Sequence, residues 1–222
     1  MKKEKMEFKK MLKEDELISF TKRVVEYLKK PEGLKKSLNW LFYVVVAIIF
    51  IFMYGTYRSN IDSTVYSKLS SEKQKYFNGD INDIMINNLK IITTNYPGSK
   101  YIGEVIYYLG NCYYKIGRFD EAVKQYEEAK KKKMIDVLKQ SVYVSLACAY
   151  EEKKDFSKAI STYEELLKKF PDYYAKDEVL INTARNLKLM GKISEAKEKY
   201  KEVVNKFPKS PWIELARENI ER

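Results

Sequence analysis

The sequence predicts an all-α chain: an N-terminal amphipathic helix, a single transmembrane helix, then an α-solenoid of helix hairpins. Three observations carry this. Eight Gly and five Pro in 222 residues leave little material for a turn-rich β fold, one stretch of 21 residues holds no charge, and small and aromatic residues recur 37 apart after it. A hydrophobic content of 45% excludes wholesale disorder. The absence of His excludes a His-based triad, a His metal site or an imidazole proton shuttle. The net charge of +11 rests on 36 Lys and only 6 Arg. Arg is the residue that grips phosphates bidentately and reads bases, so no nucleic-acid partner is expected. The Lys, Ile, Asn and Tyr bias is also what an AT-rich genome imposes.

Residues 1–36 form the first segment, with twelve basic and seven acidic side chains, a net +5. Within it Leu17, Phe20, Val24 and Leu28 recur at helical steps, with Lys22, Arg23, Glu26, Lys29 and Lys30 on the other face, and Pro31 and Gly33 are expected to end the helix. Two readings of this helix stand: it lies on the anionic inner leaflet, or it docks on a membrane partner. The uncharged run lies between Lys36 and Arg58, so residues 37–58 are the expected anchor. At about 1.5 Å per residue such a helix crosses a hydrocarbon core of about 30 Å. Trp40, Tyr43, Tyr54 and Tyr57 sit at its edges, where amphipathic rings favour the interface. No small-residue cleavage site or lipid-accepting Cys accompanies it, which favours an uncleaved anchor. The twenty residues from Arg58 carry only Arg58, Lys68, Lys73 and Lys75 as bases, so the positive-inside rule puts the N-terminus in the cytoplasm and residues 59–222 outside it. The expected address is a bacterial inner membrane, with the repeats periplasmic or otherwise extracytoplasmic.

The repeat register is read from its columns. Gly110, Ala147 and Ala184 are 37 apart, as are Ala122, Ala159 and Ala196, then Tyr126, Tyr163 and Tyr200, then Phe119, Phe156 and Ile193. Pro171 and Pro208 share the period, which carried back reaches Pro97. The clear units are expected at about 103–136, 140–173 and 177–210, with a terminal capping helix at 211–222. A degenerate unit at about 62–98 precedes them, its first helix in the Ser63 to Phe77 region and its second near Asn82 to Asn95. The small columns let antiparallel helices approach closely, and the tyrosines fill the space between successive hairpins. Asp or Ser in turns such as IGRFD and KKDFS is expected to cap each second helix, and proline closes each unit. A hairpin alone leaves an apolar face uncovered, so stability comes from stacking.

These columns resemble the tetratricopeptide repeat (TPR). L-G-x-x-Y-x-x-x-G-x-x-x-E-A from Leu109 to Ala122 is near its consensus, over a region of about 62–222. The departures are Thr183 and Leu187, where the family prefers Leu and Tyr, and Met134 in the proline column. The 37-residue unit, three longer than the commonest one, implies longer second helices or longer connections. The Lys-rich lead, the anchor and the linkers Tyr96 to Ser99 and Phe207 to Pro211 are similar to the ancillary SecYEG translocon subunit (YfgM-type) family. The linkers also look like those of Tol–Pal coordinator and outer-membrane assembly lipoproteins, which need an N-terminal lipidated Cys that is absent here.

Little points to chemistry. Cys112 and Cys148 are 36 apart on first helices of adjacent units, and buried or groove thiols are favoured over a disulfide. There is no C-x-x-C, G-x-S-x-G or P-loop, so no enzyme, cofactor, metal or small-molecule substrate is expected. The expected working surface is the concave face of the first helices. Its inward positions read Glu104, Tyr107, Asn111 and Tyr114, then Ser141, Val144, Cys148 and Glu151, then Glu178, Ile181, Arg185 and Lys188. Tyr107, Asn111 and Tyr114 make a candidate peptide-binding patch, although tyrosine is simply abundant in this chain. Family members that capture acidic C-terminal peptides use a Lys/Asn/Arg set; the matching Tyr107, Asn111, Ser145, Glu178 and Asn182 agree only at Asn111.

The expected partners are therefore proteins (translocon, chaperones or envelope proteins) and membrane lipid. The first functional expectation is a membrane-anchored scaffold accessory to translocation or chaperone recruitment. The second is an organiser of envelope or division machinery, and a third, a mitochondrial outer-membrane receptor, needs the opposite topology.

Overall fold

The computed structural model describes residues 18–26 and 31–221, with their side chains except those of residues 31–34. Every regular element among these residues is a helix: α1 (residues 18–26), α2 (Pro31–Asn78), α3 (Asp83–Asn95), α4 (Ile102–Lys115), α5 (Phe119–Lys131), α6 (Asp136–Glu152), α7 (Phe156–Lys169), α8 (Lys176–Leu189), α9 (Ile193–Lys206) and α10 (Ile213–Glu221). The chain divides into two compact units, Met1–Ser59 and Asn60–Arg222.

In the first unit, α1 leaves Phe20 and Val24 exposed, while Leu17 and Leu28 lie outside the described residues. Pro31 and Gly33 stand in the first turn of α2, and the end expected for the preceding helix falls at residues 27–30, outside the described residues. Proline suits that turn, because a helix start leaves its N–H groups unpaired and the ring fixes a helical φ. The uncharged stretch is wholly helical, and no part of its apolar window is buried. Phe50, Ile51 and Phe52 are 67%, 71% and 71% exposed, where a soluble core helix would be covered. The Thr56 hydroxyl bonds the carbonyls of Phe52 and Met53, so it asks for no partner beyond its own helix.

In the second unit the degenerate hairpin differs from expectation in one respect. Its first helix is not separate: α2 continues through the Ser63 to Phe77 region, which holds neither Pro nor Gly to break it. Val65 and Leu69 of α2 join Met85, Leu89 and Ile92 of α3 in the core, and the Asn82 side chain caps α3 by accepting from the Met85 N–H at 3.0 Å. Three clear hairpins follow, α4/α5, α6/α7 and α8/α9, and α10 packs on α9.

The close approach within a hairpin is tightest at Gly110. A β-carbon there would lie 2.7 Å from Cε1 of Tyr126, whose ring is 1% exposed. The equivalent Ala147/Tyr163 and Ala184/Tyr200 pairs are equally buried, as are Ala122, Ala159 and Ala196. Tyr126 packs on Gly110 of its own hairpin and also lines the space against Ser145 of α6 in the next. First helices end alike: Arg118, Asp155 and Lys192 donate their N–H groups to the carbonyls of Tyr113, Tyr150 and Leu187, each at 2.9 Å. This closure needs a left-handed residue, supplied by Gly117 (φ 76°), Lys154 (φ 59°) and Gly191 (φ 76°).

One further expectation is corrected and one open alternative is decided. Asp155 caps α7, accepting from the Lys158 N–H, but α5 and α9 begin after Arg118 and Lys192 without side-chain caps, so Asp120 and Ser194 lie inside their helices. The long unit comes from connections, since the second helices run only 13 or 14 residues. Six residues separate α3 from α4, α7 from α8 and α9 from α10, around Pro97, Pro171 and Pro208. Where Met134 replaces proline, α6 starts three register positions earlier and runs 17 residues. The linker serines act locally: Ser99 donates to Asp62 Oδ1 at 2.8 Å and Ser210 to Asp177 Oδ2 at 2.6 Å.

Successive hairpins are tied through Glu165 of α7, which accepts from Lys169 at 2.8 Å, Tyr143 of α6 at 2.9 Å and Lys130 of α5 at 3.2 Å. Burial raises its pKa, but the hydrogen bonds from Lys169, Tyr143 and Lys130 outweigh burial and hold it down at about 2. Its stabilising contribution is therefore full above the unfolded carboxyl value of about 4.3 and fades as pH falls towards 2. Glu165→Gln should lower the thermal midpoint by about 2–4 °C at pH 7, with the gap to the parent closing near pH 2, as read by circular dichroism. Lys154→Gly should raise stability by about 0.5–1 kcal/mol in denaturant titration, since a left-handed Lys costs about 1–2 kcal/mol and glycine's unfolded-state entropy returns only part.

Candidate partner-binding groove

A cavity of about 230 Å³ lies among the first helices of the solenoid. Tyr107, Asn111, Tyr114 and Lys115 of α4 and Val144, Ser145 and Cys148 of α6 form its sides, with Tyr76 of α2 and Tyr126 of α5 completing it. Helical spacing explains why α4 contributes a stripe: positions 107, 111 and 114 fall on one face, and so do 144 and 148 on α6.

The polar groups are tied down by one another. The Tyr126 hydroxyl donates to Asn111 Oδ1 at 2.7 Å, so the 8% exposed Asn111 is held at the wall by the ring that packs on Gly110. Tyr107 meets Ser145 across the helices at 3.5 Å, and Tyr114 donates to Glu152 at 3.3 Å. Burial pushes the Tyr114 phenol up to about 12, aided by Cys148 and Glu152 nearby, so it stays neutral and able to donate. The Tyr107 and Tyr126 rings lie 6.0 Å apart, giving the cavity an aromatic floor.

Five expected groove residues therefore meet at this cavity: Tyr107, Asn111, Tyr114, Val144 and Cys148. Glu104 is instead paired with Lys73 at 2.7 Å, and Ser141 bonds the Val137 carbonyl of its own helix. Glu151 accepts from Asn186 at 2.5 Å, tying α6 to α8. In the third unit Glu178 is exposed, Arg185 bonds Asn182, and Lys188 bonds Asn219 of α10. Ile181 is a correction: it is 1% exposed, inside the apolar cluster that Ala216 and Ile220 of α10 complete, and faces no groove. Tyr76, Lys115 and Ser145 were outside the expected groove set. Carrying the tyrosine column back one period from Tyr113 marks Tyr76.

Both thiols are free. The 36-residue spacing is one short of the register, which turns Cys112 about 100° around its helix from the position of Cys148. Cys112 accordingly meets Met85 of α3, while Cys148 meets the Tyr163 hydroxyl of α7. Burial pushes the Cys112 thiol up to about 12. Among the described residues no group of His, Cys, Asp or Glu is arranged to hold a metal ion.

Stacked antiparallel helix hairpins with a first-helix groove define a helical-repeat binding scaffold. Residues 103–133 match one family model described as a tetratricopeptide repeat, and residues 141–173 and 178–210 match another. Solved structures give the same fold. A tetratricopeptide repeat protein from Parabacteroides merdae is 18% identical over 72% of this chain, with TM-score 0.60, and the match spans 59% of that protein. A putative kinesin light chain with TPR-like repeats from Podosopora anserina is 17% identical, over 72% of this chain and 84% of its own, with TM-score 0.57. MamA is 19% identical over 84% of this chain and 92% of its own, with TM-score 0.56. No curated protein sequence matches the chain.

Thiol chemistry checks the groove's geometry. In folded full-length protein at pH 8, iodoacetamide should alkylate Cys148 slowly and leave Cys112 unmodified, by mass spectrometry, with no intramolecular disulfide after mild oxidation.

Proposed function

We propose that the chain is a non-enzymatic, single-pass membrane scaffold that binds protein partners outside the cytoplasm through the α4/α6 groove, as an accessory of protein translocation or chaperone recruitment. The observation that carries the binding role is the aromatic cavity of Tyr107, Tyr114 and Tyr126 with Asn111 and Ser145 at its wall. Rings supply contact area at low entropic cost, and their hydroxyls can exchange a weak internal contact, such as the 3.5 Å Tyr107/Ser145 approach, for a peptide backbone group. The anchor is supported by the apolar length of α2 and by the absence of any protein cover over it. The orientation rests on the twelve basic residues that precede it. The translocon association rests on the resemblance of the lead, anchor and linkers.

Protease added to spheroplasts should remove residues 59–222 and spare the N-terminal segment; protection of the repeats reverses the topology. Crosslinking in membranes followed by mass spectrometry should enrich translocon components or extracytoplasmic chaperones. Enrichment of division proteins, with septal localisation, would favour the envelope organiser instead. Tyr107→Ala with Tyr114→Ala should cut partner capture at least about tenfold while leaving membrane insertion intact.

A further inference from the structure

One column of the repeat is broken in a way that leaves a hole. Tyr113, Tyr150 and Leu187 are 37 apart near the ends of α4, α6 and α8. Tyr150 is wedged against the second helices α5 and α7: it is 8% exposed, its hydroxyl donates to Glu127 Oε1 at 3.2 Å, and Lys158 Nζ lies 5.4 Å from its ring. Tyr113 takes the corresponding place one unit earlier, with the Arg118 guanidinium 4.8 Å from its ring and Lys90 of α3 on it as well. Leu187 is too short to do the same. A cavity of about 450 Å³ opens beside it, between α7 and α9, with Ile160 and Met190 among its apolar walls.

The polar groups that a tyrosine would use are still there. Glu164, on the cavity wall, stands one period after Glu127, and among the described residues it has no hydrogen bond or ion pair. Lys192, also on the wall, stands two periods after Arg118, the cation that covers Tyr113, and is paired at 3.3 Å with Glu195, which stands one period after Lys158. An acceptor, a cation and an apolar floor thus line the recess beside the shorter side chain. We propose that this cavity is a binding site for a tyrosine side chain of a protein partner, which takes the place that the chain's own column leaves empty. The ring lies on Leu187, Ile160 and Met190, its hydroxyl donates to Glu164, and Lys192 covers its face. Three carboxylates, Glu164, Glu195 and Glu198, against two cations, Lys192 and Lys199, leave the walls net negative, which disfavours a phosphorylated ring. The site is separate from the α4/α6 groove and does not rest on the role proposed for it.

The test uses the full chain in lipid nanodiscs with methyl-labelled Ile and Met, titrated with N-acetyltyrosinamide. Saturable shifts at Ile160 and Met190 are expected, and none with the phosphotyrosine analogue. Leu187→Tyr, which fills the hole from within, should abolish the shifts and raise the thermal midpoint. Glu164→Gln, an exposed change that the fold tolerates, should weaken binding about tenfold, the loss expected of one charge-assisted hydrogen bond. Shifts that do not saturate, or that are unchanged in both variants, would overturn the proposal.

Discussion

The approach of Tyr126 to the backbone of Gly110 sets the spacing on which the solenoid depends. With the ring edge 2.7 Å from where a β-carbon would sit, α4 and α5 are locked at a distance that only glycine at position 110 permits. Ala147/Tyr163 and Ala184/Tyr200 fill the same columns in the next two hairpins and are buried alike. Repeated hairpins stack in register, and stacking buries what each alone exposes. A looser first pair would change where α6 meets α4, and with it the wall of the groove.

The same tyrosine is also part of that wall. Tyr126 fixes Asn111 by its hydroxyl and lies beneath Tyr107, so packing and presentation of the groove are not separable at this residue. The position opposite the tyrosine hydroxyl varies, reading Asn111, Cys148 and Arg185 in successive units. The hydroxyl meets an amide in the first and a thiol in the second, and in the third the nearby Arg185 opposes the rise that burial gives the Tyr200 pKa. A constant ring with a variable partner lets the groove change chemistry along the chain without moving a helix.

The repeat columns were legible in the sequence because each recurs every 37 residues, the small and tyrosine positions in the core and the prolines in exposed connections. Boundaries were not. Pro31 can open a helix as well as close one, and Asp120 lies two residues past the true cap of α5, where sequence alone gives no sign of the turn's geometry. Periodicity also overreached in the third unit: Ile181 shares the register of Val144, but α10 completes a cluster over it, which no count within α8 reveals. The groove on α4 and α6 was legible because two adjacent units kept the pattern. Its α2 wall was hidden by the merging of the degenerate repeat with the long apolar helix.

Departures from the repeat separate into those the fold absorbs and those it does not. Met134 in place of proline is absorbed, because α6 starts earlier and Lys139 reaches back to the Lys130 carbonyl at 2.6 Å, occupying the end of α5. Lys154 in place of glycine is absorbed at the cost of a left-handed backbone, with the closing hydrogen bond intact. Leu187 in place of tyrosine is different in kind. A recess opens beside it, with Glu164 and Lys192 on its walls. A carboxylate unpaired among the described residues, beside an apolar recess, is the arrangement on which the proposed tyrosine site rests.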